Sequence, residues 1–396
     1  MINPLTWLSR RRFPYEPLIN IEISRSALIN NLDEFRKLAP NHSIAPVLKS
    51  NAYGHGLHEV ATILERYRHT LRGARNTNGH GTIPFFVIDS YFEAVALRAR
   101  GIKTPLLVIG FSQTETIISS RLDNVAFTIG SIEALQGLED TEHPIAIHLK
   151  IDTGMHRQGI LPDEVPAAIQ LIAENTNIVL QGICSHLSDS DNDDPSFTEG
   201  QINVWNKTVS HFKNEFPSLR YTHLSATYGH RYTPDIDANV SRLGIGLYGL
   251  VDGSLFPETL NLKPVLKMQT IIATTKKIHR DDSVGYSGTF TANGDMTIAT
   301  IPVGYYEGVD RRLSNVGSVG VGNDNVTCAM IGNISMNMTT IDVSHVEGDT
   351  HGMKVVVFSN DMHDPNSIVS LAKAGGLLTY EIAVHIPAQL RRTVTE

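Results

Sequence analysis

Short apolar, β-branched runs alternate with amphipathic helical stretches from about residue 44 to residue 250. This alternation is typical of successive βα units on a parallel sheet. Eight such units over this length predict a (β/α)8 barrel. The predicted strands are Ile44–Lys49, Phe85–Ile88, Pro105–Ile109, Val125–Thr128, Ile145–Ile151, Leu180–His186, Tyr221–Leu224 and Gly244–Leu250, with helical patterns such as Ser131–Leu138 between them.

The pattern changes after residue 252. Segments with period-two alternation and turn residues replace the helical signal, and they include Lys267–Thr274, Met296–Val303 and Lys354–Phe358. We therefore predict an N-terminal tail over residues 1–18, a barrel over 19–252 and a mainly β domain over 253–396. The basic stretch Arg66–His80 has no periodicity and predicts an exposed loop between the first helix and the second strand of the barrel.

Composition narrows the class of partner. The net charge of -8 over 396 residues argues against binding to nucleic acid or to an anionic membrane surface, which would show as a basic excess. The two cysteines, Cys184 and Cys328, suggest neither a disulfide framework nor a metal-ligand pair and fit a reducing compartment. The basic run near the N-terminus follows a short apolar stretch, the reverse of a secretory signal. We expect a cytoplasmic protein with a small-molecule ligand and no metal.

A lysine stands at the end of the first predicted strand. In a parallel barrel the functional groups lie at the C-terminal ends of the strands, and Lys49 is where this strand opens into the loop Ser50–Gly56. Partial desolvation at such a position favours the neutral amine that forms Schiff bases. A structural lysine with a buried stem and a solvated head would give the same local pattern.

Cationic and imidazole groups follow other predicted strands. Lys150 and Arg157 follow the fifth, His186 ends the sixth and His223 lies in the seventh. A cluster of positive and titratable groups on one rim is tolerable when it binds an anionic ligand. Arg242 precedes a Gly-Ile-Gly sequence whose backbone N–H groups could bind a phosphate.

The segments described above resemble those of the alanine racemase family. They occur in the same order as in that family, and the resemblance covers nearly all of the chain. The loop from Lys49 to Gly56 is similar to the family's cofactor-lysine segment, with Asn51 where an aspartate is usual. The resemblance implies that Lys49 carries pyridoxal 5'-phosphate covalently and that Tyr53 reaches the cofactor phosphate. The second-domain segment Val284–Phe290 resembles the one that carries the family's other catalytic residue, here Tyr286.

The resemblance also implies roles for barrel residues. Lys150 matches a lysine that is carbamylated in the family, and Arg157 matches an arginine that contacts the cofactor and the substrate carboxylate. Arg242 matches the arginine that faces the pyridine nitrogen, where a cation disfavours protonation of the ring and so favours racemisation over transamination. The remaining cofactor contacts that the resemblance implies are His186 and His223 under the ring and Thr227, Gly244, Ile245 and Tyr380 at the phosphate.

In the second domain, the backbone amide of Met336 matches the group that binds the substrate carboxylate. Tyr305 and Arg311 match the corridor through which substrate enters. By resemblance, Tyr286 reaches the barrel of a second copy of the chain, which implies a homodimer.

Racemisation requires acid–base groups on both faces of the reacting carbon, and Lys49 and Tyr286 are the two candidates. The resemblance therefore implies an isomerase that interconverts L-alanine and D-alanine and supplies D-alanine for peptidoglycan.

Other functions stay open. Asn333, Asn337 and Ala226 stand where an arginine, an aspartate and an asparagine are common, and Ser335–Asn337 also resembles broad-spectrum racemases, so a serine racemase is an alternative. A pyridoxal-phosphate-dependent decarboxylase would have the same domain plan but an acidic partner for the pyridine nitrogen, and Arg242 argues against it. A cofactor-binding protein without activity is disfavoured because both Lys49 and Tyr286 are retained.

Overall fold

The computed structural model describes residues 16–73, 82–139 and 141–396. Within these ranges the chain forms two compact units. The barrel unit comprises residues 25–265, and the β unit combines residues 266–396 with the N-terminal segment that ends in strand β1, Asn20–Ser24. No helix in the described ranges is long and apolar enough to cross a membrane.

The barrel unit contains eight parallel strands, which confirms the predicted fold class. Strands β3 to β8 form a continuous sheet, and β2 pairs with β9. A bridge between Val47 and Val87 joins this pair to β3, and the Asn239 N–H donates to Thr222 O at 3.1 Å to join β9 to β8. The strands are β2 (Ser43–Pro46), β3 (Phe86–Ile88), β4 (Leu106–Val108), β5 (Val125–Ile129), β6 (Ile145–Lys150), β7 (Ile178–Cys184), β8 (Tyr221–His223) and β9 (Val240–Leu243).

Helices connect the barrel strands, and two of them begin at serine caps, Ser90 and Ser131. The Ser131 hydroxyl accepts from the Ala134 N–H at 3.1 Å, which satisfies an otherwise unpaired donor of the first turn. In the longest helix, apolar side chains at helical spacing, such as Trp205 and Val209, are fully buried. The helices are α1 (Arg25–Leu38), α2 (Lys49–Tyr53), α3 (Leu57–Gly73), α4 (Tyr91–Ala99), α5 (Thr114–Ser119), α6 (Ile132–Gln136), α7 (Val165–Glu174) and α8 (Ser196–Glu215).

Two sequence predictions in the barrel are wrong. The stretch predicted as a loop from residue 66 instead continues α3 to Gly73. Arg68 in this stretch is buried, and its Nε donates to Ile83 O at 2.9 Å, so the side chain packs against the barrel. Residues 74–80 of the predicted loop lie outside the described ranges. The eighth strand is Val240–Leu243 rather than Gly244–Leu250, of which residues 245–248 form a 3-10 turn. This strand includes a serine and an arginine, so it lacked the apolar signal of its neighbours.

The β unit contains a six-stranded sheet, a three-stranded sheet and a two-stranded hairpin. The six-stranded sheet has the order β16-β15-β18-β10-β1-β19, the three-stranded sheet has the order β11-β14-β17, and β12 pairs with β13. The strands after β9 are β10 (Leu266–Ile271), β11 (Thr274–Ile278), β12 (Ser283–Val284), β13 (Phe290–Thr291), β14 (Met296–Ile301), β15 (Ser318–Val321), β16 (Val326–Ala329), β17 (Thr339–Asp342), β18 (Lys354–Phe358) and β19 (Arg392–Thr395), with helices α9 (Ile368–Gly375) and α10 (Thr379–Val384) between the last two.

The observed limits of the units differ from the predicted ones at residues 19 and 252. Strand β1 pairs antiparallel with β10 and parallel with β19, and Ile21 and Ile23 are fully buried in that sheet. At the other limit, the buried Asn31 amide exchanges hydrogen bonds of 2.8 Å with the backbone N–H and C=O of Lys263. Long-range pairing, which local sequence patterns do not record, therefore sets both limits.

Candidate active site

The lysine loop is a left-handed turn. Ser50, Asn51, Ala52 and Tyr53 have φ values of 56°, 56°, 52° and 52°, a conformation that costs non-glycine residues roughly 1–2 kcal/mol each. Side-chain contacts hold it: the Leu57 N–H donates to Asn51 Oδ1 at 2.9 Å. Backbone strain of this kind persists where the surrounding structure over-determines it, which is often at functional sites.

The turn brings Tyr53 against the loop that follows β9. Tyr53 is buried, and burial raises the pKa of its phenol to about 12, so the phenol is a neutral hydrogen-bonding group. A Cβ on Gly244 would lie 2.8 Å from the Tyr53 hydroxyl, so a side chain at position 244 would displace this hydroxyl.

Backbone donors converge beside this hydroxyl. The N–H groups of Gly244 and Ile245 have no acceptor among the described residues, and the neighbouring Gly246 N–H donates to Thr227 Oγ1 at 3.2 Å. Gly244, Ile245, Thr227 and Tyr53, which the sequence predicted to contact a phosphate, therefore form one small cradle. Asn51 stands where the family usually has an aspartate. Its side chain accepts from the Leu57 N–H and so holds the lysine loop.

Arg242 is a buried cation held by carbonyl and imidazole acceptors. It is 7% exposed, and Nη2 donates to Ser185 O at 2.6 Å and Leu224 O at 3.0 Å. Nη1 lies 2.6 Å from His223 Nδ1, and Nη2 lies 3.2 Å from His186 Nδ1. None of the hydrogen bonds described for Arg242 goes to a carboxylate, so its charge stays available to a ligand.

The hydrogen bonds of Arg242 fix the tautomers of two histidines. A guanidinium can only donate, so His223 accepts at Nδ1 and carries its proton on Nε2. His223 Nε2 therefore donates to His148 Nδ1 at 2.7 Å, and His148 in turn carries its proton on Nε2. Burial and then the Arg242 charge lower the pKa of His148 to about 3 and that of His223 well below its ordinary value, so both rings are neutral.

His148 is a member of this network that the sequence analysis missed. It precedes Lys150 by two residues on β6, and residues two apart on a strand point to the same face of the sheet. This spacing was the signal that could have found it.

Positive charge surrounds His186. The pKa of His186 falls to about 3, mainly by burial and then through the charges of Arg242, Arg157, Lys150 and Lys49. These four cations, predicted at separate strand ends, thus act on one imidazole. A site with this excess of positive charge favours an anionic ligand.

Lys150 lies at the last position of β6 and donates from Nζ to Gln158 Oε1 at 3.3 Å. Burial lowers the pKa of Lys150, as do the neighbouring arginines to a smaller extent. Lys150, Arg157 and Gln158 line a cavity of about 490 Å³ beside the strand ends of β4 to β6. Gln158 was not predicted as a site residue; the structure adds it as the partner of Lys150.

Tyr286 lies in the β unit, on a turn between β12 and β13. Its side chain is 68% exposed, while its backbone is fixed, because Asn333 Nδ2 donates to Tyr286 O at 2.8 Å. Gly285 has a φ of +74°, and a Cβ there would lie 3.2 Å from the Asn333 N atom. Asn333, noted as a departure from the family pattern, thus anchors the segment that presents the phenol.

Met336 lies on a second exposed segment of the β unit. Its carbonyl accepts from the Tyr306 N–H at 2.9 Å, whereas its own N–H has no acceptor among the described residues. The adjacent Asn337 donates from Nδ2 to Oε1 of the buried Glu307 at 2.6 Å, which ties this segment to the 304–308 turn. The Met336 N–H is therefore a fixed donor that a carboxylate could use.

The predicted corridor residues share a cavity. Tyr305 and Arg311 line a space of about 360 Å³ together with Asp310, Ile382 and His385. Tyr380, on α10, is 39% exposed. The β unit thus holds Tyr286, Tyr305, Arg311, Met336 and Tyr380, and the barrel unit holds the other predicted site residues.

Comparison with known proteins identifies the family that this barrel, β domain and set of residues define. The alanine racemase N-terminal domain model matches residues 23–252, and the C-terminal domain model matches residues 265–394. The chain belongs to the alanine racemase family, a family of isomerases.

Individual relatives agree with this assignment. Alanine racemase of Methanococcus maripaludis is 31% identical, with 94% of this chain and 97% of that protein covered. Alanine racemase of Fusobacterium nucleatum is 34% identical, with coverage of 89% and 94%. The solved alanine racemase of Clostridium difficile 630 superposes with a TM-score of 0.84 at 25% identity, over 96% of each chain.

Proposed function

We propose that the protein is a pyridoxal 5'-phosphate-dependent alanine racemase in which Lys49 holds the cofactor and Lys49 and Tyr286 are the two catalytic acid–base groups. The observation that carries the proposal is the convergence of Lys49, Arg157 and Arg242 on His186, next to a left-handed lysine loop. These charges suit a ligand with both a phosphate and a carboxylate.

The residues of the barrel fit this cofactor. Gly244, Ile245, Tyr53 and Thr227 supply a phosphate cradle that a Cβ at position 244 would obstruct. Arg242, with no carboxylate among its described partners, suits a pyridine nitrogen that stays unprotonated. When bound, the cofactor supplies an electron-withdrawing ring that acidifies the Cα–H bond of the amino acid.

The chain's own residues would then position the substrate and move one proton. The Arg157 guanidinium and the Met336 N–H bind the carboxylate. Lys49 Nζ removes the Cα proton from the D isomer and returns it to form that isomer, and Tyr286 Oη does the same for the L isomer on the opposite face. Lys150, carbamylated as in the family, would hold Arg157 in place.

We further propose a homodimer in which Tyr286 and Met336 serve the barrel of a second copy of the chain. Their exposure of 68% and 55% supports a role at such an interface. A two-fold axis makes the two shared sites equivalent. The proposed setting is the cytoplasm, where D-alanine is needed for peptidoglycan.

Alanine is the first-choice substrate, and a secondary activity on serine or a larger amino acid is a second candidate. The hydrogen bond from Asn337 to Glu307 favours the second candidate, because an ionised aspartate at position 337 could not donate to this carboxylate, so the segment of Met336 is held by a contact that the usual residue cannot make. A 31% identical relative from Enterococcus faecalis is named amino-acid racemase, although this chain spans about half of that protein. Racemisation rates measured over a panel of amino acids decide between the two candidates. Faster turnover of lysine or arginine than of alanine would contradict alanine as the preferred substrate.

The test of the proposed function combines reduction with isotope exchange. Borohydride reduction of the yellow protein followed by peptide mapping should place the cofactor on Lys49, and the protein should exchange the Cα proton of alanine in deuterium oxide. Lys49→Ala should lose both properties. The exposed, ion-paired Lys37 offers the matched control Lys37→Ala, which should keep both. Label on another lysine of the wild type would refute the assignment.

A further inference from the structure

The barrel contains a second cavity at the end opposite Lys49 and Arg242. Its volume is about 470 Å³, and its lining includes Leu106, Val125 and Ile145, the first residues of β4, β5 and β6. Because these strands are parallel, their first residues mark the amino-terminal mouth of the barrel. We refer to this space as the mouth cavity.

Small side chains leave the mouth cavity open. The interior of a (β/α)8 barrel is ordinarily filled by layers of bulky side chains. Here Ala126 and Ala146 are register partners on β5 and β6 and both line the cavity. Ala146 and Gln181 are only half-buried although both lie on strands of the barrel. Among the described residues, none closes the barrel interior at its amino-terminal end.

His148 lines the inner end of the mouth cavity. The imidazole is 1% exposed and carries its proton on Nε2, because Nδ1 accepts from His223. No acceptor for this Nε2–H group is found among the described residues. The Nε2 atom is not among the fully buried unpaired atoms of the described residues, so it reaches the open space of the cavity, where an acceptor can satisfy it.

The charges that line the mouth cavity are predominantly positive. Arg121 and Arg220 line it, and Asp123 is the single carboxylate among the described residues that line it. Arg121 Nη1 donates to Ile118 O at 2.9 Å and Ser120 O at 3.0 Å, while the Arg220 guanidinium has no partner in the described part of the chain. The acceptor that this surface favours is therefore anionic.

We propose that the mouth cavity is a second binding site, which takes a small oxyanion whose oxygen accepts from His148 Nε2, and that it communicates with Arg242 through His223. An acceptor at His148 Nε2 makes Nδ1 of the same ring a better acceptor, which strengthens the bond from His223 and, in turn, the bond from Arg242. Anion binding is independent of the proposed function. Communication with the cofactor rests on it, through the placement of Arg242.

Calorimetric titration of the holoenzyme with inorganic phosphate, and separately with acetate, tests the binding site. The active site is first blocked with cycloserine, which is bound in a solved alanine racemase of Clostridium difficile. Phosphate or acetate should still bind to the blocked protein. Loss of all binding on blocking would overturn the proposal, because the anion would then occupy the active site.

Two variants test whether the anion binds in the mouth cavity or elsewhere on the protein surface. Arg220→Gln should weaken anion binding about tenfold, as expected for the loss of a charged hydrogen bond. Ala146→Leu should abolish binding by filling the cavity. The control Arg100→Gln removes an exposed charge elsewhere on the barrel and should leave binding unchanged. Unchanged binding in folded Arg220→Gln and Ala146→Leu would overturn the site.

Histidine nitrogen NMR tests the communication. Addition of phosphate should move the ¹⁵N signals of both His148 and His223 in the wild type and neither in Arg220→Gln at the same concentration. A shift confined to His148 would overturn the relay to Arg242. Neither the calorimetric titration nor the NMR measurement requires turnover. Absence of racemisation would therefore refute the proposed function but would not bear on anion binding in the mouth cavity.

Discussion

In the barrel unit, the candidate site is buried and internally hydrogen-bonded: Arg242, His223 and His148 are 7%, 0% and 1% exposed and form one chain of contacts. In the β unit, Tyr286 and Met336 are 68% and 55% exposed, and only their backbones are fixed. The barrel half of the proposed site is therefore preorganised. The β unit presents exposed side chains whose proposed function requires the surface of a second copy.

Of the changes that test this difference between the two units, Tyr286→Phe should have the largest effect. We expect proton exchange from L-alanine to fall by about 10²- to 10⁴-fold, the usual contribution of a general acid–base group, with cofactor retention unchanged. Stopped-flow exchange from each enantiomer in deuterium oxide measures it. Tyr306→Phe, at another exposed tyrosine whose hydroxyl accepts from Gln389 at 3.1 Å, is the matched control and should stay active. Equal loss of exchange from both enantiomers would contradict face-selective roles.

Mixing two inactive variants tests whether the exposed half-site serves a second copy. Lys49→Ala and Tyr286→Phe dimers that exchange subunits should form hybrids with one intact site and one doubly damaged site. Random pairing makes half the dimers hybrids, so activity should recover to about a quarter of wild type. Mass spectrometry of the mixture provides the control for exchange. Hybrids without activity would place both residues in the site of one chain.

Acid should unfold the barrel unit before the β unit. All the histidines that are buried among the described residues belong to the barrel, and burial lowers the pKa of His148 to about 3 and that of His230 to about 4. Between pH 6.5 and these values the unfolded chain binds more protons than the folded chain, so stability falls as pH falls, by at most about 1.4 kcal/mol per pH unit for each histidine.

Fluorescence of the buried Trp205 in a Trp7→Phe background measures barrel unfolding against pH. His230→Gln should flatten the pH dependence, whereas His363→Gln, at an exposed position of the β unit, should leave it unchanged. A barrel whose free energy of unfolding is constant from pH 6.5 to pH 4 would contradict the neutral histidine network.

Asn333→Ala should have the smallest effect. It removes the side-chain hydrogen bond to Tyr286 O, a contact worth about 1 kcal/mol, and should lower kcat by about fivefold while cofactor binding stays constant. Asn323→Ala, at an exposed position of the same unit, is the control. A change in KM alone would show that Asn333 acts on substrate entrance rather than on the Tyr286 backbone.

The sequence predicted the barrel, the β domain and the strand-end cations because βα alternation and C-terminal strand ends are local signals. It did not predict strand β9, whose Ser241 and Arg242 are buried through hydrogen bonds that only the folded barrel provides. It assigned β1 to the barrel because the pairing with β10 and β19 spans hundreds of residues. It missed His148, since a histidine within an apolar strand reveals its partner only in three dimensions.

The turn from Ser50 to Tyr53 has a stereochemical consequence. Its backbone has the φ values that residues of the opposite chirality adopt without strain, so four L-residues are held here in a conformation natural to D-amino acids. A semisynthetic chain with D-serine at position 50 should remove the backbone strain at this residue, and Ser50→Gly should do so in part. Both changes should raise the melting temperature of the cofactor-free protein while Lys49 keeps its position, because they lower the energy of the backbone conformation that is already present.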